Sequence, residues 1–564
     1  MRKNNNVVVF LLIGFVVVFG LIFGISSMTQ NVGKTEKQVS EEQASKQLEK
    51  ILRNVTVETV TSEKANLADE KYSSLDAKDE LPEISKYPLS VDGRGNIDVE
   101  IFTSTEKGGT GSDGWLNEMA EDFNNSGATV NGKSVSVSVR SIASGLATDY
   151  IISGKYMPQA FTPSNELLIR ILEAYNVKTT LIDDKMVGNV AGMLLSNDTY
   201  NSIQQEYGSC SVKTVVQATA DGKIVMGYTN PLSSSTGLNF LMSVLDSYDS
   251  KNLLSDDAIV GFQSFQQNVP FVSFTTTQMK NAAESSTLDG MITEYQAYVN
   301  TPNLSKYKFI PFGVRHDNPL YGVGNLSDEQ IQVLELFADY CESNEAQKLA
   351  TRYGFNQMDD YKNEGTNDFD GRTIVSAQDL WKEEKDTTPV TAVFVTDISG
   401  SMSGEAITNL QTSLINGCQY ISSDNYIGLV SYSNDVYINC PIKKFDLNHR
   451  ASFIGAVNNL YANGSTATFD AIAVATDMLI KAKQENPDTK LIMFLLSDGE
   501  TNRGCNLSEI ETVLSFYDIP VYTIGYNANI SALKTISDIN EASSINADSE
   551  DIVYQLKSLF NSQM

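Results

Sequence analysis

The chain has 564 residues, 41% hydrophobic and 20% charged, enough for three or four folded units of roughly 150 residues with proper cores. Lys and Arg total 41 against 70 Asp and Glu, a formal charge of −29, so no basic footprint for a phosphate backbone is visible and nucleic-acid binding is set aside. Two histidines, His316 and His449, and five cysteines without a CxxC pair exclude clustered-imidazole zinc hydrolysis, a zinc ribbon and a thioredoxin-type site.

The five cysteines read as buried free thiols, with one disulfide, Cys418 to Cys440, left open. Residues 7–25, VVVFLLIGFVVVFGLIFGI, carry no charge. As a helix rising 1.5 Å per residue they would span roughly 28 Å, about the hydrocarbon thickness of a bilayer. Arg2 and Lys3 precede the run and the next cation is Lys34. Residues 1–6 are therefore expected in the cytoplasm and everything after residue 25 outside. Gly24 and Ser26 offer a small-residue cleavage site, but the run exceeds the 7–15 residues usual in a signal peptide, which favours an uncleaved single-pass anchor. Residues 26–95 read as a charged stalk, rich in Glu, Lys, Ser and Gln. Leu48, Ile51, Leu52 and Val55 within it allow one amphipathic helix.

From residue 96 the texture changes to strands alternating with helices, as expected of parallel sheets with sites at the carboxyl ends of strands. DVEIFTS (98–104) and the period-two SVSVSVRSI (134–142) are strands. Each leads through Ser, Thr or Gly into a helix, and QAFTPSNELLIRIL repeats the pattern. NPLSSSTG precedes a further apolar helix, and TEY follows at 293–295. Helix N-termini with hydroxylated residues form anion-friendly cradles, although such residues also simply cap helices. This order resembles the extracytoplasmic solute-binding proteins, two α/β lobes closing over a ligand at a hinge. The resemblance implies a domain at 96–380 with Ser104, Ser144, Ser164, Ser235 and Thr236 facing the cleft and Glu294 near the hinge. Arg315 and His316 are left outside that set, because a salt bridge with Asp317 explains them equally well.

After an acidic connector at 368–388 comes PVTAVFVTDISGSMSG. Its continuous apolar run is a buried parallel strand ending in Asp397, with Ser399 and Ser401 at alternate positions beyond it. A carboxylate with two hydroxyls presents hard oxygens suited to Mg²⁺. Thr466 follows Gly464 and Ser465 ahead of a helix, and Asp498 ends the strand KLIMFLLSD. This set resembles the von Willebrand factor A domain with its metal-ion-dependent adhesion site, over 388–564. The resemblance implies a doubly wound, Rossmann-like α/β fold and a metal held by Asp397, Ser399, Ser401, Thr466 and Asp498, with Mn²⁺ able to replace Mg²⁺. It also implies that a partner's Asp or Glu completes the coordination. Asp397 is expected at a strand end, outside the core.

The expected whole is a membrane-anchored extracellular binding protein, not an enzyme. One module grips a protein or polymer through Mg²⁺, and the other takes a small polar or anionic solute or serves as an interaction platform. A receptor delivering solute to a permease is the alternative. A metal-dependent hydrolase is a weaker one, since no positioned general base is in view.

Overall fold

In the computed structural model the described residues are 40–67, 81–269, 271–273, 288–384, 389–418, 421–498, 501–517, 519–526 and 544–547. The expected anchor at 7–25 and stalk residues 26–39 and 68–80 lie outside them. Among the described residues no helix is long and apolar enough to cross a membrane.

The residues of the expected two-lobed region form two sheets. In the first, strands run in the order Thr129–Val130, Lys133–Ser141, Ile97–Thr103, Ala160–Thr162, Leu320–Val323, Thr179–Asp183. The period-two strand Lys133–Ser141 points Val135, Val137 and Val139 into the core. Its other face is buried as well, and the reason is in the neighbouring strand. Ser136 and Ser138 donate to the two carboxylate oxygens of Asp98 at 2.5 and 2.7 Å, and Arg140 pairs with Glu100 at 2.6 Å. Gly95 and Gly93 then donate backbone N–H groups to Ser136 and Ser138, so residues 81–95 lie across this face. They belong to the first lobe, with Leu81 and Val91 buried, and are not stalk.

The second sheet runs Tyr307–Pro311, Ala191–Ser196, Gly290–Glu294, Met226–Thr229, Phe271–Ser273. The chain crosses between lobes around Asn189 and His316, which pair backbone to backbone, so Glu294 does sit beside the hinge. The expected connector is also part of this body. Residues 371–384 form the helix Gly371–Glu384, which packs on Leu167–Ala174, and Trp381 is fully buried with its indole N–H on the Tyr228 hydroxyl at 2.7 Å.

The C-terminal sheet has seven strands among the described residues, in the order Val57–Thr59, Val436–Lys444, Tyr426–Tyr432, Val390–Asp397, Lys490–Ser497, Val521–Tyr526, Ser544–Ala547. Its central strand Val390–Asp397 is buried at every position, as an apolar run flanked by parallel neighbours should be. Helices cover both faces. Phe394 and Phe494 pack under Glu405–Gly417 and Leu447–Asn458, while Val393, Val395 and Met493 pack under Thr468–Glu485 and Leu507–Tyr517.

The stalk reading fails most clearly at 40–67. Ser40 opens the helix Glu41–Leu52 with a capping box, and Ala44, Leu48 and Ile51 bury its apolar stripe against the second helical layer of the C-terminal domain. Strand Val57–Thr59 then adds in parallel to the sheet edge at Val436–Ile438. The segment lacked enough apolar residues to fold alone, yet enough to fold onto a surface already made. The C-terminal domain is thus assembled from both sides of the chain, with the two-lobed body inserted between.

Cys418 and Cys440 are not bonded; all five cysteines are free thiols, three of them buried.

Candidate metal centre and ligand cleft

The strand Val390–Asp397 delivers Asp397 to the carboxyl edge of the sheet, where the chain turns through Ser399 and a short 3₁₀ turn at Gly400–Met402. Asp397 is wholly buried, not outside the core as expected. One carboxylate oxygen accepts the Ser399 N–H at 2.8 Å and the other the Ser497 hydroxyl at 2.7 Å. The hydroxyls of Ser399 and Ser401 stand 3.0 Å apart, and Ser401 donates to Asp498 at 3.0 Å. Four of the five expected ligands thus form one continuous chain of contacts. Thr466 joins through backbone ties between loops. Gly400 donates to the Gly464 carbonyl at 3.0 Å, and the Thr466 N–H and C=O are bridged by Asn502. Gly464 holds φ +79°, and the adjoining Ser465 N–H donates to Asn434, so serine at that place leaves the loop intact.

Burial pushes the Asp397 carboxyl up, hydrogen bonds oppose this, and the Asp498 charge adds to it. Burial likewise raises Asp498 against the Ser401 bond. The named partners of both acids are neutral donors, Ser399, Ser497 and Ser401. Two carboxylates with hydroxyl oxygens and no soft donor are the chemistry that a hard divalent cation satisfies. His449 plays no part: it is buried in the core with Nε2 against the Ile427 carbonyl at 2.7 Å.

In the two-lobed body, Ser144, Ser164, Ser235, Thr236 and Glu294 line one cavity with about 20 Å³ of water-accessible space, together with Thr105, Glu106, Ser233 and Ser234. Ser104 lies just behind, near the Lys107 ammonium at 3.5 Å. The two lobes meet over it. Gly145 of the first donates to the Ser233 carbonyl of the second at 3.1 Å, and Gln296 of the second reaches Ser112 and Asp113 of the first at 2.9 Å each. A methyl group on Gly145 would stand 2.0 Å from the Leu232 carbonyl, so closure requires glycine there. Capping and cleft roles divide between neighbours. Ser234 caps the helix Ser235–Tyr248, while the Ser235 hydroxyl is buried without a hydrogen-bond partner.

Charged groups gather around this cavity that the hydroxyl pattern did not reveal. Glu294 accepts His316 Nδ1 at 2.9 Å, Thr236 at 3.1 Å and Asn189 at 2.6 Å. Burial pushes its carboxyl up, but the His316 and Lys107 charges and these bonds outweigh that and hold it below the ordinary range. Burial and the Glu294 charge raise Glu106. Burial lowers Lys107 to about 7 against the attraction of both acids. Its ammonium donates to the Thr162 carbonyl at 2.7 Å and to Asn318 at 2.9 Å. Glu106 and Lys107 were missed because TEKGG reads as a solvated loop. His316 is not a surface ion pair but the hinge partner of Glu294, whereas Arg315 does pair with Asp317 and Asp359.

Two family models match the chain: the von Willebrand factor type A domain over residues 392–561 and the bacterial extracellular solute-binding protein over residues 108–356. Among curated proteins, an uncharacterised Synechocystis protein is 25% identical over 140 residues, 24% of this chain and 32% of that one. Inter-alpha-trypsin inhibitor heavy chain H3 of Mus musculus is 28% identical over 162 residues, 26% of this chain and 18% of that one. The chain thus spans a third or less of the length of these relatives. Among solved structures, a periplasmic thiamin binding protein aligns with a TM-score of 0.38 at 10% identity, covering 52% of this chain and 99% of that one. Proximal thread matrix protein 1 from mussel byssus, with a zinc-occupied adhesion motif, aligns with a TM-score of 0.27 at 18% identity, covering 30% and 46%.

Proposed function

From a chain that joins a bacterial extracellular solute-binding domain to a von Willebrand factor type A domain, we propose an extracytoplasmic binding protein, anchored by residues 7–25, that grips a protein or polymer through Mg²⁺. Asp397, Ser399, Ser401, Thr466 and Asp498 would hold the ion. When bound, the ion supplies an open coordination position for a carboxylate offered by the partner. The observation that carries this reading is the chain of contacts from buried Asp397 through the two serines to Asp498, in which both acids are held by neutral donors. The protein's own part is to keep those oxygens in place: the Ser497 hydroxyl and Ser399 N–H fix Asp397, and Asn502 fixes Thr466. The role is binding, not turnover. The two-lobed body, nearly shut over a polar cavity, holds a small solute in the same reading.

Calorimetric titration of the whole chain with Mg²⁺ or Mn²⁺ tests the metal. One site per chain is expected, lost in Asp498→Asn, which keeps side-chain shape and the Ser401 contact while removing the charge. Equal binding by wild type and variant would overturn the assignment.

A further inference from the structure

The cavity between the lobes is lined by hydroxyls and two carboxylates, and this bears on the charge of what it takes. Two carboxylates, Glu106 and Glu294, face it with the hydroxyls of Ser144, Ser164, Ser235 and Thr236. The cations nearby are turned elsewhere. The Lys107 ammonium, buried behind the wall, donates to Thr162 and Asn318. Both His316 ring nitrogens are engaged, Nδ1 by Glu294 and Nε2 by Asn165 and Asn239 at 3.0 and 3.1 Å. Arg315 is held by Asp317, Asp359 and two backbone carbonyls. An oxyanion in this cavity would meet two carboxylates with no side-chain cation directed at it. The helix N-termini at Ser144 and Ser235 favour an anion, but the Gly145 N–H is already taken by the Ser233 carbonyl. Glu106 and Glu294 oppose an anion there even with Lys107 and His316 balancing part of their charge.

A second observation points to a ligand independently of the acids. The Ser235 hydroxyl is only 4% exposed, lines the cavity and has no hydrogen-bond partner. Buried polar atoms are normally satisfied. The hydroxyl can accept from or donate to a guest, and beside two carboxylates the guest that suits both is a donor. The water-accessible space of about 20 Å³ fits a single water-sized group.

We propose that the cleft takes a small solute bearing a primary ammonium group, seated on Glu106 and Glu294 with an N–H to Ser235, and not an oxyanion. This rests on the reading of the two-lobed body as a solute-binding domain and narrows its ligand class. Glu106 and Glu294 are the residues that set specificity. Lys107 and the His316 ring behind Glu294 leave part of the acidic charge already balanced, which suits a singly charged guest.

The test is thermal unfolding of the whole chain with methylammonium, ethanolamine, tetramethylammonium or K⁺, and separately with sulfate, phosphate or molybdate. A shift is expected with methylammonium or ethanolamine, with at least tenfold weaker affinity in Glu106→Gln and in Ser235→Ala. Ser235→Ala gives up no side-chain hydrogen bond among the described residues, and Glu106→Gln keeps an acceptor oxygen of the same shape. The affinity should also fall as pH drops through the raised Glu106 range, because the acid then becomes neutral. Glu294 and Lys107 are the titratable groups that face it. A shift given by an oxyanion, retained or strengthened in Glu106→Gln, overturns the charge assignment but leaves the cleft standing. An equal response to tetramethylammonium or K⁺ overturns the ammonium N–H donor. No shift with any probe, with Gly145→Ala matching wild type in small-angle scattering, overturns the solute-binding reading itself.

Discussion

The metal centre and the cleft are built from the same materials, two carboxylates among hydroxyls at the carboxyl ends of strands, yet they handle charge in opposite ways. Asp397 and Asp498 are fixed by neutral donors, Ser399 and Ser497 for the first and Ser401 for the second. Glu294 has His316 at 2.9 Å and Lys107 behind it. The first site leaves its whole negative charge for something from outside, which favours a divalent ion. The second compensates much of its own charge internally, and its surroundings depend on the carboxylate being present. A carboxylate that the fold has paired depends on its partners as they depend on it, and offers a ligand only part of its charge; one held by neutral donors offers it all.

Removing an acid should therefore have contrasting effects at the two sites. Glu294→Ala strands His316, Thr236 and Asn189 in a fully buried place. Breaking such a buried pair costs about 3–5 kcal/mol, measured as a loss in the unfolding transition of the two-lobed body. An effect below about 1 kcal/mol there would erase the distinction drawn from the pairing. The next largest effect concerns how the metal-bearing domain is assembled. Leu48→Ala, on the helix docked from the N-terminal side, should destabilise the C-terminal domain by about 2–4 kcal/mol, because Leu48 is buried against it. By the same argument, a fragment beginning at residue 388 lacks both this helix and the edge strand Val57–Thr59 and should be less stable than the domain in the whole chain. Loss confined to the two-lobed body, or none, would mean that residues 40–67 are a stalk after all.

Legibility in the sequence followed how local each feature is. Asp397, Ser399 and Ser401 lie within five residues, and Thr466 and Asp498 each end a recognisable apolar or glycine-containing segment, so the set stood out through its resemblance to a known adhesion-site pattern. The cleft hydroxyls were readable as a series of strand–loop–helix junctions. Glu106, Lys107 and His316 were not, because their meaning depends on Glu294, Asn318 and Asn165, brought near only by the crossing of the two lobes. The docked helix was visible as a stripe of Leu48, Ile51, Leu52 and Val55, but not its destination, which lies more than 400 residues later at Leu507–Tyr517. Burial of Asp397 was missed since a strand end need not be a surface; here Ser497 on the adjacent strand closes over it.

Scanning calorimetry of the whole chain with and without Mg²⁺ tests the difference between the two sites most directly. Mg²⁺ should raise the unfolding transition of the C-terminal domain and leave that of the two-lobed body where it is. Asp498→Asn should remove the response, while its metal-free transition stays at or slightly above that of wild type because its repulsion with Asp397 has been relieved. A shift of both transitions, a shift of neither, or an unchanged response in Asp498→Asn would contradict the account.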